Sequence, residues 1–405
     1  MKATWEMKKL GEICEEKKEK NVNNENLPLF TVSHIYGLIP YQNIFYKQVH
    51  SKDTKNYKIV NRYDFAFGLP TKDTLPYGLL ESEEKVLVSP AYIVFSIKNK
   101  NLLFPRFLYY LLKTTYYKWK IIEMAKSQGA TRRGLPLKFR HLANLEIPLP
   151  PLPVQQKIVK ILDTIQEAID IQEKIIEKTK ELKKSLMAEL FKYGGPSFRK
   201  GRKLKKTEIG EIPEDWEVVR LGDENLFELI MGQSPPSSSY NQNKKGLPFL
   251  QGKAEFGEIY PQPIKWCDKP IKIAEKNDIL ISVRAPVGDL NLADQKYCIG
   301  RGLAAIRLKN NVDPFFLFNC LNFFKNQILT YGTGSTFKAI TKEILENFKI
   351  PIPSLSEQRE IAEILQTIDQ KIEIEKRKKE LYEELFKTML NKIMNQEIDI
   401  EKIEV

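Results

Sequence analysis

The sequence predicts an α+β chain: two mixed α/β bodies joined by two long helices, with an internal pseudo-two-fold repeat. Three observations carry this prediction. A proline-punctuated motif is written twice, a long apolar stripe at helical spacing follows each copy, and short β-rich runs precede each copy. The motif reads IPLPPLPVQQKIVKIL from Ile147 to Leu162 and IPIPSLSEQREIAEIL from Ile350 to Leu365, with eight of sixteen positions identical at an offset of 203.

Each body opens on a tryptophan segment, WEMKKLGE from Trp5 and WEVVRLGD from Trp216. KVLVSPAYIVFSIKN (Lys85 to Asn99) aligns with KYCIGRGLAAIRLKN (Lys296 to Asn310). Parts of these runs and NDILISV read as short strands. PRFLYYLLKTTYYKWKIIEMA and DPFFLFNCLNFFKNQIL read as helices opened by proline, with their aromatics in the core. A Gly-rich loop closes each body, SQGATRRG in the first and TYGTGSTF in the second. The bodies otherwise share little, so a common frame carries divergent inserts.

The helices follow. Ile158, Ile161, Leu162, Ile165, Ile169, Ile176, Leu182, Leu186 and Leu190 recur at spacings of three and four, and Gly194-Gly195-Pro196 stops the run. The second copy carries Ile361, Ile364, Leu365, Ile368, Ile372, Leu385 and Met389. A rod of this length spans roughly 57 Å. Two such stripes bury each other as a coiled coil, or each packs on its own body. The coiled-coil reading places Ile158, Ile165, Leu186, Ile361, Ile368 and Met389 on the seam. The expected order is therefore a first body at 1–153, a first long helix at 154–194 and a basic linker at 195–215. A second body at 216–356, a second long helix at 357–394 and an acidic tail at 395–405 complete it.

Composition bounds the function. The 405 residues carry a formal net charge of +12. Residues 1–153 hold +10 of it and residues 192–206 hold +7, while residues 207–356 hold −1. Clustered cations of this kind neutralise phosphates. No apolar run is long enough for a membrane span and the N-terminus has no signal-peptide core, so the cytoplasm is the expected location. Cys14, Cys267, Cys298 and Cys320 and the three histidines His34, His50 and His141 are scattered, which suits reduced thiols rather than a zinc site.

Catalytic motifs are missing from the sequence. It contains no GxxxxGK[ST] phosphate loop, no HExxH and no Asp/Asn-Pro-Pro-aromatic tetrapeptide of the amino-methyltransferase type. A binding role remains. The Gly-rich loops combine glycine, hydroxyls and cations, the groups that hold phosphate and sugar. They nominate Lys126, Gln128, Thr131, Arg132 and Arg133 in the first body and Ser335, Thr336 and Lys338 in the second. The basic stretch KQVHSKDTKNYKIVNR adds Lys47, Lys52, Lys55 and Arg62, and GLPTKDTLPYG adds Lys72. MGQSPPSSSYNQNKKG adds Gln233, Ser237, Ser238, Lys244 and Lys245, and SVRAPVGD adds Arg284. Each of these loops equally suits a purely structural role. No metal ligand is nominated.

The whole pattern resembles the specificity subunit of type I restriction-modification enzymes. TEIGEIPEDWEVVRLGD (Thr207 to Asp223) and IPIPSLSEQREIAEIL are especially close to that family's wording. The first copy departs from it, with Val154-Gln155 where the second has Glu357-Gln358. The resemblance implies that each body is a target-recognition domain for one half of a bipartite site in double-stranded DNA. It implies that the two helices form an antiparallel coiled coil, which sets the spacing and docks two methyltransferase (modification) subunits, with restriction subunits joining them. S-adenosylmethionine, ATP and Mg would sit on those partners, and this chain would bind none of them and have no activity of its own. Two alternatives stay open: a fused methyltransferase or nuclease, and an assembly scaffold that does not touch DNA.

Overall fold

The repeated ends of each half pair with one another. In the computed structural model, which describes residues 5–44, 53–127, 129, 134–309, 311–330 and 339–403, Glu6–Lys9 runs antiparallel to Glu146–Leu149. In the second half Glu217–Arg220 runs antiparallel to Lys349–Ile352. The tryptophan opening and the Ile-Pro closing are thus two strands of one ribbon. Pro148 and Pro351 are tolerated because a two-stranded ribbon has only edges.

The Leu-Gly pair ends each opening strand. Leu10 N–H donates to Leu145 O at 2.8 Å and Gly11 N–H to Ala143 O at 2.9 Å. Leu221 and Gly222 make the corresponding bonds to Phe348 O and Glu346 O at 2.9 and 3.0 Å. A Cβ on Gly11 would stand 2.8 Å from Ala143 Cβ, and one on Gly222 would stand 2.9 Å from Glu346 O. Glycine is required there because the two backbones touch.

The chain forms two units, Met1–Gln172 with Lys378–Val405, and Glu173–Arg377. Each holds a four-stranded antiparallel sheet of the same connectivity. In the first the order is Cys14–Lys17, Ile93–Ile97, Phe65–Phe67, Tyr77–Leu79; in the second it is Phe227–Met231, Leu303–Leu308, Ile279–Ser282, Leu290–Leu292. The sheets' inner faces, with Phe65, Phe67 and Phe95 in one and Ile279, Ile281 and Ile306 in the other, pack on helices. Each fully buried side chain of this size contributes roughly 1.5–3 kcal/mol. The first aromatic run is two helices, Pro105–Lys113 and Thr115–Lys126, split at Thr114, whose hydroxyl accepts from Tyr117 N–H. The second is a single helix, Pro314–Thr330. The units differ outside this frame. The second adds a five-stranded sheet containing Leu247–Leu250, Lys265–Cys267 and Tyr297–Ile299, where the first has two separate two-stranded ribbons.

The rods are continuous helices, Leu152–Tyr193 and Leu355–Met394. Each starts two residues earlier than the expected bounds; in the first, Pro153 is accommodated in the first turn, where its missing N–H is not needed. Their buried positions follow a heptad. Ile158, Leu162, Ile169, Gln172, Ile176 and Leu190 are buried on the first rod, and Ile361, Leu365, Ile372, Glu375 and Ile393 on the second. Ile165, Leu186, Ile368 and Met389 are half-buried on the same rows. In the first unit Ile158 and Leu162 share a core with Leu390 and Ile393. In the second, Leu190 and Leu186 share one with Ile361 and Leu365. The start of one rod therefore packs on the end of the other in each unit, which is an antiparallel pairing. Leu182 and Leu385, expected in the stripes, are 56% and 44% exposed. The heptad explains this: the seam passes through their neighbours Lys183 and Phe386. Lys183 is held there by Asp369 at 2.6 Å.

The linker is not a loose exposed stretch: Leu204–Thr207 and Gly210–Pro213 form a ribbon, and Ile209, Ile212 and Trp216 are buried. The acidic tail packs on the first unit's core through Ile398, Ile400 and Ile403.

Candidate nucleic-acid interface

In the second unit the connection between Ile279–Ser282 and Leu290–Leu292 is a tight projecting loop that carries Arg284. Ser282 organises it: its hydroxyl donates to Pro286 O at 3.0 Å and accepts from Asp289 N–H at 2.9 Å. Lys253 and Lys325 both pair with Asp289. Burial raises the Asp289 pKa, but the two lysines outweigh it and hold the carboxyl below its usual range. Arg284 is exposed beside a cleft of about 570 Å³ lined by Gln251, Lys253, Glu255, Pro286, Arg301 and Gly302.

Backbones meet closely beside this cleft. A Cβ on Gly302 would stand 2.5 Å from Gln251 O, and one on Gly232 would stand 2.2 Å from Gly300 O. Three segments are in contact there, with no room for side chains. Ser234 Oγ joins them, accepting from Gln251 Nε2 and from Arg301 N–H, each at 3.1 Å. Gln233 is exposed at the start of the same segment, with Ser237 and Ser238 exposed beyond Pro236.

The first unit repeats the scaffold with other side chains. Its loop between Phe65–Phe67 and Tyr77–Leu79 carries an exposed Lys72 and is clasped by Thr71 and Thr74, whose hydroxyls lie 2.7 Å apart. In both units the chain leaving the Gly-rich loop returns onto this connection. Leu135 N–H donates to Pro70 O at 2.7 Å, and Ile340 N–H donates to Val283 O at 2.8 Å. Gly134 has φ +127°, and a Cβ there would stand 2.8 Å from Pro70 O, so this close approach requires glycine. Gln128, Thr131, Arg132, Arg133, Ser335, Thr336 and Lys338 lie outside the described residues, as do Lys47 and Lys52.

The remaining candidates are dispersed. Arg62 pairs with Glu84 at 2.7 Å, Lys126 with Glu123 at 2.7 Å, and Lys245 with Asp268 at 3.6 Å. Such exposed pairs are worth at most about 1 kcal/mol, so a phosphate can displace the carboxylate. Lys244 stands 5.7 Å from the centre of the Trp266 ring, and Lys55 is exposed. The sequence reading missed Arg301, Gln251 and Ser234. The one available signal was the Gly300-Arg301-Gly302 triplet, a cation between two residues that let backbones meet. It also placed the aromatics of Thr115–Lys126 in the core; Tyr117 is buried there, but Tyr116 and Trp119 are exposed.

The four cysteines are buried and unpaired. Burial pushes the Cys14 and Cys298 thiols up to about 12, which keeps them protonated and unreactive. Among the described residues no three His, Cys, Asp or Glu side chains gather as a metal site, and no helix is long and apolar enough to cross a membrane.

A duplicated frame, two long helices and an open cleft lined by arginine and glutamine define a recognition protein with two like units. The family model for the type I restriction modification DNA specificity domain matches residues 2–181 and again residues 213–384, and the chain belongs to that family. The putative type I restriction enzyme MjaX specificity subunit of Methanocaldococcus jannaschii is 46% identical over 80% of this chain and 75% of its own. The MjaVIII specificity subunit of the same organism is 28% identical over 98% of this chain and 94% of its own. A solved chain, described with the complex assembly and conformational transition of the type I R-M system, is 29% identical. It covers 97% of this chain and 98% of its own at a TM-score of 0.61. The function is DNA sequence recognition in the role of a specificity subunit, which is the non-catalytic component of such systems.

Proposed function

We propose that the two units read the two halves of one bipartite site in double-stranded DNA. In this reading the rods fix the spacing and dock two methyltransferase subunits, to which restriction subunits add. One observation carries it. The two units share sheet order, ribbon, Leu-Gly turn and loop return, yet present different side chains at the same place: Lys72 and a threonine clasp in one, Arg284 in the other. A conserved frame with variable tips suits one task performed on two sequences. Docking is supported by apolar side chains left exposed on the rods, Ile171, Ile175 and Leu182 on one and Ile374, Leu381 and Leu385 on the other. S-adenosylmethionine, ATP and Mg belong to the partner subunits, and the assembly works in the cytoplasm.

The test is methylation of a defined duplex by the chain combined with its modification subunits. Methyl transfer only in the combined preparation, at one two-part site, supports the reading. Turnover by this chain alone would make it an enzyme, and methylation indifferent to its presence would make it a scaffold. Replacing Arg132, Arg133 and Lys338 together by Ala should weaken binding across all sequences and flatten its salt dependence; unchanged affinity at low and high salt would assign those loops to structure.

A further inference from the structure

The second unit's cleft holds more than a place for DNA to touch. Of the cations around it, Lys253 is held by Asp289. Arg284 and Arg301 are exposed, and no carboxylate pairs with either among the described residues. Arg301 is the better fixed. It projects from the Gly300-Gly302 turn, whose backbone is packed against residues 232 and 251 without side-chain room. Its own N–H is bound to Ser234 Oγ at 3.1 Å. The same oxygen accepts one N–H of Gln251 at 3.1 Å, which orients the amide and leaves its carbonyl oxygen and second N–H available.

We infer that Arg301, whose backbone is fixed by Ser234, and Gln251, whose amide is bound by the same oxygen, are the base-reading pair of the second half-site. Arg301 takes a guanine and Gln251 an adjacent adenine. The inference rests on the proposed reading of the chain as a two-headed DNA-recognition subunit. Three features favour bases over phosphates. A guanidinium matches guanine O6 and N7, and a carboxamide with one free N–H and a free oxygen matches adenine N7 and N6. The cleft is not part of a broad phosphate-tracking surface: residues 207–356 carry a net charge of −1, and Lys253 and Lys325 are already engaged by Asp289. Finally, base reading needs side chains on a rigid support, which the glycine-walled junction supplies. Ser234 is a positioning residue, since it acts through the other two.

The experiment uses the full chain assembled with its modification subunits and a duplex library in which each half-site is randomised in turn. Methylated products are sequenced, and binding is measured across a salt series. For wild type, one position of the second half-site should demand guanine. Arg301→Ala should relax that position by at least ~10-fold and leave the first half-site unchanged. Arg301→Lys should keep the salt dependence but fail to restore the guanine requirement, because an ammonium cannot make the planar pair of bonds. Ser234→Ala should broaden preference at that base and its neighbour together, and Gln251→Ala only at the neighbour. Retained preference in Arg301→Ala, with uniformly weaker binding, would make Arg301 a phosphate contact and overturn the assignment. A shift in the first half-site would overturn it too. A wild-type complex that selects no two-part site would remove the underlying reading, and this assignment with it.

Discussion

Gln155 and Gln358, 203 residues apart, make the same three hydrogen bonds. Gln155 Nε2 donates to Leu102 O and Pro150 O at 2.9 and 2.8 Å, and its Oε1 accepts from Phe104 N–H at 2.8 Å. Gln358 Nε2 donates to Asn311 O and Pro353 O at 3.1 and 2.9 Å, and its Oε1 accepts from Asp313 N–H at 2.8 Å. Each glutamine is buried and ties three pieces together: the proline strand, the start of the rod, and the turn before the body's main helix. This is why the motif is written twice. It is a joint between body and rod, and the glutamine is its pin.

Replacing either pin by leucine removes the partners of one buried backbone N–H and two carbonyls. Each group left unpaired costs about 1–3 kcal/mol, softened where water enters. Gln155→Leu should destabilise the first unit by roughly 2–4 kcal/mol, with hydrogen exchange accelerating at Phe104 and the residues after it. Gln358→Leu should do the same at Asp313. Exchange rates unchanged at those amides would show that the glutamines are not pins.

Glu357 is the departure between the two copies, and the structure gives it a task that Val154 lacks. Its carboxylate is buried and accepts from Gly195 N–H at 2.9 Å, Trp216 Nε1 at 3.0 Å and Arg202 at 2.7 Å. Gly195 and Arg202 lie in the segment that joins the first rod to the second body, and Trp216 opens that body. Glu357→Val should cost about 3–5 kcal/mol, since it removes the buried partner of a largely buried guanidinium and leaves it only the exposed Asp215. Adding Arg202→Met should recover a substantial part. A double variant whose loss equals the sum of the Glu357→Val and Arg202→Met losses, measured by urea unfolding, would mean the pair is not coupled.

The Asp289 pairing also sets a pH dependence. The folded carboxyl titrates below the ordinary aspartate value of 3.8, so the unfolded chain binds its proton first as pH falls. The stabilisation is therefore fully present above about pH 5 and is lost as pH drops through 3.8 toward the folded value. Asp289→Asn should lower the urea midpoint at pH 6, with the gap to wild type closing toward pH 3. A gap independent of pH would mean that shape, not charge, matters at that position.

The sequence disclosed the parts that obey a period or a repeat. The two bodies, both joints and both rods were legible because proline, glycine and heptad spacing act locally. Leu182 was misplaced because a count of threes and fours does not separate a seam from its flank; the partner helix decides, and it selects Lys183 with Asp369. Arg301 was missed for a related reason. Its importance lies in what three distant segments do around it, and only Gly232, Gly300 and Gly302 hinted that backbones would meet there. Arg284 was legible because it sits on a single strand-to-strand connection.

The rods carry the last prediction. From Val154 to Tyr193 and from Leu355 to Met394 neither contains proline or glycine, so neither has a built-in hinge. If they measure the spacer, its length should follow theirs. Repeating Ile169–Ile175 in the first rod and Ile372–Lys378 in the second adds one heptad to each. The apolar rows stay in phase, because an a/d seam repeats every seven residues. Each rod lengthens by roughly 10 Å, equivalent to about three base pairs at ~3.4 Å each. Three base pairs also turn the second half-site by about a third of a helical turn, so binding should weaken unless the rods twist to follow. The methylated site should keep both half-sequences and gain about three intervening base pairs. A heptad inserted in one rod alone should break the seam and lower stability without yielding a new spacer. Genome-wide mapping of methylated sites reads all of this at once. A fixed spacer with altered half-sequences would remove the rods from the measurement and leave it to the bodies.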